Sequence, residues 1–270
     1  HIPAVDYSEG VKTAYPQGVQ AKEFILPKEL LEQDCVISLS KMKTHALERI
    51  TGAVKNSYGF VYGFHKAKGH TQYPSADSFA RMLIDLNKCV APKLYVMDGI
   101  VAMEGNGPGS GDPVPMNVLL MSTDPVALDS VFSRLVYLKP EMVPTNYHGE
   151  KMGLGTWKEE EITLLTPDGE ISMAEAVKKY GNPAFNVDRT EVRKNIWTRM
   201  AGALNIFQKK PYIEADKCVR CGICVQSCPV PGKAVDFRKG KGKPPVYDYR
   251  KCIRCFCCQE MCPKKAIKVK

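Results

Sequence analysis

No apolar run in this 270-residue chain approaches the roughly 20 residues that a helix needs to cross a bilayer. The longest, around Val118 to Met121, is strand-sized. No secretory apolar segment stands near the start, and the chain begins with His1 rather than Met, so a truncated N-terminus is the expectation. Two common phosphate-binding fingerprints are missing as well. The stretch AMEGNGPGSGDP places glycines at 105, 107, 109 and 111, yet a P-loop needs Gly-Lys-Ser/Thr opening a helix, and the dinucleotide motif also needs a helix behind its glycines. Here Pro113 and Pro115 lead into another strand, which leaves the loop a nest of backbone N–H groups that could cradle an anion. His45, His65 and His70 include no His-x3-His pair on a helix, so a histidine metal site lacks its usual pattern. Nor are aromatic side chains interleaved with the basic residues near the C-terminus, which places nucleic-acid binding behind the other readings.

What the chain has in quantity is cysteine, eleven in all. Eight fall into two runs, Cys218, Cys221, Cys224 and Cys228 before Pro229, and Cys252, Cys255, Cys258 and Cys262 before Pro263. Each reads C-x2-C-x2-C-x3-C-P, and every ligand position recurs 34 residues later, so the segment is an internal duplication. Three thiolates at intervals of three let one short loop curl around an iron–sulfur cube, while the fourth sulfur must come from elsewhere. In the bacterial ferredoxin pattern, each run's last cysteine crosses to the other cluster. Cys218, Cys221, Cys224 and Cys262 are therefore assigned to one [4Fe–4S] cluster, and Cys252, Cys255, Cys258 and Cys228 to a second. Zinc also takes Cys-x2-Cys pairs, but a four-coordinate zinc site has no use for a third cysteine three residues on. The remaining Cys35, Cys89 and Cys257 are scattered and odd in number, which fits a reducing cytoplasm. Cys35 and Cys89 are read as buried packing residues, and Cys257 as a small residue beside the second cube rather than a spare ligand.

Charge follows the same division. The net +9 resides in the cysteine-rich end, where residues 209–270 hold 16 Lys and Arg against 5 Asp and Glu. Part of that excess offsets the clusters, each about −2 with its thiolates. The rest suits an acidic partner, the chain's own larger domain, nucleic acid, or solvent.

Upstream, strand and helix signals alternate, the sign of an α/β domain. Residues 1–26 read as loop with one short strand, Pro27 to Gln33 as a short helix, and Asp34 to Ser40 as a strand buried on both faces. Lys41, Lys43, Thr44 and His45 then fall just past a strand end, where open α/β sheets bind ligands. With Lys55 and Asn56 from a helix starting near Glu48, they suit a phosphate or carboxylate. GFVYGFHKAKGHTQYP reads as a long loop over a pocket. Ser75 caps a helix from Ala76 to Val90, and a strand from Lys93 to Met97 ends in an Asp98-Gly99 turn. Asp124-Pro125 opens a helix to about Leu138, residues 140–156 are loop, Glu161 to Leu165 is a strand, and a helix from Ser172 or Met173 ends at Tyr180. Val192, Ile196, Met200, Leu204 and Phe207 recur about every four positions, marking an amphipathic helix. The organisation expected is an α/β domain with a mainly parallel sheet and flanking helices over 1–189, a linker helix over 190–210, and a small α+β ferredoxin-type domain over 211–270.

KMKTH at 41–45, TGAVKNSYG at 51–59, DGIVAMEGNGPGSG at 98–111 and DPVALD at 124–129 together resemble the family called domain of unknown function 362, whose members often carry a two-cluster ferredoxin module. The upstream strand and Lys-Pro-Asn motif usual in that family are missing here. The resemblance implies that Lys41, Lys43, His45, Lys55, Asn56, Asp98, Glu104 and Asp129 converge on one site. Three functions follow. The first is an electron-transfer protein relaying single electrons to its larger domain or a redox partner protein. The second is a reductase. There Lys41, Lys43, Lys55, Asn56, Gly105 and Gly107 bind an anionic small molecule, His45 donates a proton, and Glu104 or Asp98 gives polar support. The third is a nucleic-acid-binding or regulatory iron–sulfur protein.

Overall fold

The computed structural model describes residues 4–63, 65–191 and 210–269. The expected amphipathic stripe at 192–207 lies outside them.

The chain opens with a hairpin of β1 (Gly10–Ala14) and β2 (Glu23–Pro27), where loop with a single strand was expected, followed by the one-turn α1 (Lys28–Leu31). Next come β3 (Ile37–His45), β4 (Arg49–Thr51), α2 (Ala53–Asn56), α3 (His65–Gln72) and α4 (Ala76–Val90). Then follow β5 (Leu94–Glu104), β6 (Asp112–Ser122), α5 (Pro125–Leu135), α6 (Pro144–Lys151), the hairpin β7 (Leu164–Thr166) and β8 (Gly169–Ile171), and α7 (Met173–Tyr180).

The central sheet has four strands in the order β4-β3-β5-β6. It is mixed rather than mainly parallel: β3 and β5 run parallel, while β3–β4 and β5–β6 are antiparallel. The reason lies in the connections. Only β3 to β5 has a helical crossover between them; β3–β4 and β5–β6 turn back directly, and a direct return makes an antiparallel pair. Pro113 and Pro115 sit on β6, an edge strand, where a missing N–H costs no internal ladder bond. The expected Asp98-Gly99 turn is instead a register shift inside β5, between Gly99 and Val101, with Asp98 Oδ1 accepting from Ile100 N at 2.8 Å.

Burial on β3 alternates. Ser38, Ser40, Met42 and Thr44 are buried, while Ile37 and Leu39 are 53% and 71% exposed, so among the described residues the strand is covered on one face only. Leu119 and Met121 of β6 are likewise 54% and 61% exposed. On the covered face, Met42 and Met97 pack with Phe132, Leu135 and Phe185. A second core gathers Phe79, Leu83 and Leu86 of α4 with Val54 and Leu26. Helix α4 forms as its sequence dictates: Phe79, Met82, Leu83 and Leu86 recur on one face, and the Ser75 hydroxyl accepts from Ser78 N at 3.1 Å, a cap worth about 1 kcal/mol. Asp124 caps α5 in the same way, accepting from Val126 N and Ala127 N at 2.7 and 2.9 Å. Helices α3 and α6 occupy stretches expected to be loop.

The C-terminal part is a small strand-and-helix unit. Its strand β9 (Pro211–Ile213) pairs antiparallel with β12 (Ile267–Val269), and β10 (Val235–Asp236) with β11 (Val246–Tyr247), a hairpin around the basic stretch 238–243. Between them lie two one-turn helices, α8 (Ile223–Gln226) and α9 (Cys257–Glu260), at corresponding points of the duplication. Among the described residues, no helix is long and apolar enough to cross a membrane.

Candidate functional site

The cysteines assigned from spacing are brought together as two sets. Cys218, Cys221, Cys224 and Cys262 line one small cavity, with Ile213, Pro245 and Ile267 beside them. Cys228, Cys252, Cys255 and Cys258 line another, against Val235, Tyr247 and Phe256. Each set thus includes the last cysteine of the other run. Among the described residues, no three His, Cys, Asp or Glu side chains are placed to hold a single metal ion. Four sulfurs spread around a volume suit a cube better than a lone zinc.

The backbone suits an anionic cluster as well. Arg220 and Gly222 have φ of 59° and 80°, and Arg254 and Phe256, 34 positions on, have 58° and 60°. Left-handed residues at alternate positions turn successive N–H groups inward as a nest, the arrangement that receives iron–sulfur groups. Hydrogen-bond donors also reach the sulfurs. Ala234 N lies 3.3 Å from Cys228 Sγ, Ala266 N 3.3 Å from Cys262 Sγ, and the Tyr247 hydroxyl 3.1 Å from Cys258 Sγ. These residues fit [4Fe–4S] groups.

The second loop is seated on the α/β domain through the glycine loop that follows β5. Gln259 Nε2 donates to the carbonyls of Asn106 and Gly107 at 2.9 and 3.0 Å, Asn106 Nδ2 to Ile267 O at 3.0 Å, and Lys265 Nζ to Gly111 O at 3.3 Å. Gly107 is required there because a Cβ would lie 2.1 Å from the Thr44 carbonyl oxygen. Beside this seam, Glu260 Oε1 stands 3.5 Å from both Lys55 Nζ and His45 Nε2. Burial pushes the Glu260 carboxyl up, but the Lys55 ammonium and the His45 hydrogen bond outweigh it and hold the group well below the usual range. His45 Nδ1 accepts from Leu47 N and Glu48 N, both at 3.1 Å, which places the ring proton on Nε2 facing Glu260. Burial, reinforced by Lys55, pushes His45 down to about 4, so its ring is neutral near pH 7.

A cleft of about 900 Å³ opens on the other side of Lys55. Its α/β wall carries Lys43, Lys55, Asn56, Lys66 and His70; its opposite wall carries Cys228, Lys233, Cys257 and Glu260. Burial, with the neighbouring Lys55 charge, holds both Lys43 and Lys66 below the usual lysine range. Helix α2 is fixed in place by Asp129, whose carboxylate accepts from Ala53 N and Val54 N at 2.6 and 3.1 Å. Asp129 is therefore neither exposed nor aimed at the cleft: it holds the helix that presents Lys55 and Asn56. Gly52 permits that approach, because its Cβ would lie 1.9 Å from Asp129 Oδ1.

The residues expected to share one α/β site divide among several places. Lys43, Lys55 and Asn56 face the cleft, while Gly105 and Gly107 line a separate hollow with Thr44 and His45. Lys41 pairs with Asp98 at 2.6 Å on the surface, and Glu104 Oε2 accepts from Asn186 N at 2.7 Å. His45 does not line the cleft, so it is misplaced as a proton donor there; its neighbours make it a support for Glu260. The KMKTH stretch is strand rather than post-strand loop, and a register shift between Lys41 and Lys43 separates the two: Lys41 pairs with Asp98 while Lys43 faces the cleft. Cys35 is exposed rather than packed, and Cys257 is buried on the cleft side. Lys66, His70, Gln259 and Glu260 were missed. The last two were detectable, since they replace Val225 and Gln226 of the first copy at the 34-residue offset.

Residues 1–134 match the family model for a domain of unknown function, DUF362, and residues 210–263 match a 4Fe-4S dicluster domain. A thylakoid-associated protein of Synechocystis sp. (strain ATCC 27184 / PCC 6803 / Kazusa), sll1697, is 42% identical over 130 residues, 48% of this chain and 40% of that protein. The chain thus matches well under two thirds of that relative's length. No solved structure matches. With its four N-terminal motifs placed around one sheet and its cysteines in two loops behind it, the chain joins a DUF362 region, matched over residues 1–134, to a C-terminal 4Fe-4S dicluster domain.

Proposed function

We propose that this chain is a two-cluster iron–sulfur electron-transfer protein whose first cysteine set faces a redox partner protein and whose second faces its own α/β domain. Bound [4Fe–4S] groups supply one-electron exchange; the chain decides where that exchange is accessible. The observation that carries the reading is unequal exposure. Cys221 is exposed and Val219 beside it is 52% exposed, whereas Cys258 is buried and its neighbours Cys257 and Gln259 are buried where the second loop meets the larger domain. The exposed Arg220, Lys239, Lys241 and Lys243 near the first set suit an acidic partner. An exposed Cys35 thiol is in keeping with a reducing compartment, so we place the chain in the cytoplasm. Anaerobic reconstitution tests the reading. Two [4Fe–4S] groups require about eight iron and eight inorganic sulfide per chain and reversible one-electron reduction of both without any small molecule. Zinc in place of iron, or iron without sulfide, would end it. The cleft favours a second reading, in which the α/β domain is an oxidoreductase fed by its own clusters.

A further inference from the structure

We propose that the cleft between α2–α3 and the second cysteine loop is a binding site for a small dianion with a flat or apolar body, of the dicarboxylate or phosphate monoester class. Its volume of about 900 Å³ is in the range that holds a compact organic ligand. Lys43 and Lys66 both face it, and neither ammonium has a hydrogen-bond or ion-pair partner among the described residues. Lys55, the third cation of that wall, is already matched by Glu260. The Glu260 carboxylate acts on both from a distance, but it is in direct contact with Lys55, and two partly desolvated ammoniums with no contact partner of their own are costly; a ligand bearing two negative charges offsets that cost. His70 supplies an independent observation. Its ring is 3% exposed, stacked at 4.4 Å on Phe79, and its Nδ1 is buried without a partner while the residue lines the cleft. A neutral imidazole there puts an unpaired polar atom in the wall beside the occupant. Tyr58, Ile223, Pro229 and Met261 provide apolar surface for the body of the molecule.

Cys228 and Cys257 form part of the opposite wall, so the occupant lies against the second cysteine set. That part of the proposal rests on the electron-transfer reading; the anion site itself does not. The test uses the full chain reconstituted without oxygen and calorimetric titration with phthalate, benzoate and inorganic phosphate. Phthalate is expected to bind saturably, one per chain, and benzoate about tenfold more weakly or worse. Lys43→Gln and Lys66→Gln should each weaken phthalate about tenfold, with cluster content unchanged. Lys41→Gln, on the surface beside Asp98, should bind like the wild type. Phthalate should also alter the electron paramagnetic resonance spectrum of the reduced protein. No saturable binding up to about 10 mM, or undiminished binding by both cleft variants, overturns the site. Binding that depends on both lysines but leaves the spectrum unchanged keeps the site and overturns its placement against the second cysteine set. Reversible reduction of both clusters without any binding leaves the electron-transfer reading standing and removes this one.

Discussion

The two cysteine loops share their spacing and backbone turns but differ in what their intervening residues touch. At the 34-residue offset Arg220 corresponds to Arg254, Gly222 to Phe256, Val225 to Gln259 and Gln226 to Glu260. Arg220 and Gln226 are exposed, whereas Arg254, Phe256 and Gln259 are buried. Ligand spacing is common to both copies because each must hold the same kind of group; the positions between are free to diverge. In the second copy they have become the seam to the α/β domain. Comparing one copy with the other therefore separates residues that hold a cluster from residues that locate it.

The largest expected effect sharpens this contrast at the ligands. Cys221→Ser and Cys258→Ser should each lose about half of the iron and sulfide, as expected when one of two groups fails to assemble. Only Cys258→Ser should also lower the melting temperature of the α/β domain, because its loop is seated there. Equal melting losses measured by circular dichroism would erase the distinction. A smaller effect is expected at the seam. Gln259→Leu leaves the Asn106 and Gly107 carbonyls without their donor and should cost about 2 kcal/mol in urea unfolding, while Gln226→Leu, at an exposed position, should stay within about 0.5.

The smallest effect concerns pH and is specific to the second loop's support. His45 faces Lys55, Lys43 and Glu260, and its ring is pushed down to about 4. Between about pH 6.5 and 4 the unfolded chain binds a proton at this position that the folded chain does not, so acid removes stability at about 1.4 kcal/mol per pH unit. Burial raises Glu48 well above, and Asp129 to about 7, so these two act with the opposite sign over the same window. Their opposition masks His45 in the wild-type profile but cancels in a difference. The stability cost of His45→Gln should accordingly shrink by about 1.4 kcal/mol for each unit from pH 6.5 to 5. A cost independent of pH would mean that the ring is charged when folded.

How far the sequence could be read depended on whether a signal was local. The cysteine runs, the Ser75 and Asp124 caps and the apolar face of α4 each need only a few neighbouring residues, and their placement was readable. KMKTH was not. Its lysines suggested loop, although Met42 and Thr44 alternate with Lys41 and Lys43 in the period-two pattern of a strand covered on one face. Helix α6 escaped because its buried positions are Thr145, Asn146, His148 and Gly149, polar or small residues that give no apolar stripe. The cleft was harder still. Lys66 and His70 lie about 190 residues before Glu260, and only the docking of one domain on the other brings them together. Such juxtaposition has no sequence period.

Among the described residues, one side of the central sheet is left uncovered. Ile37 and Leu39 of β3 and Leu119 and Met121 of β6, on either side of β5, present methyl and thioether surface to water in the folded chain. Sulfate and similar excluded salts strengthen the drive to bring such surfaces together. The native protein should therefore salt out early and adhere to hydrophobic chromatography media, and a dye that fluoresces on greasy surfaces will glow before any heating begins.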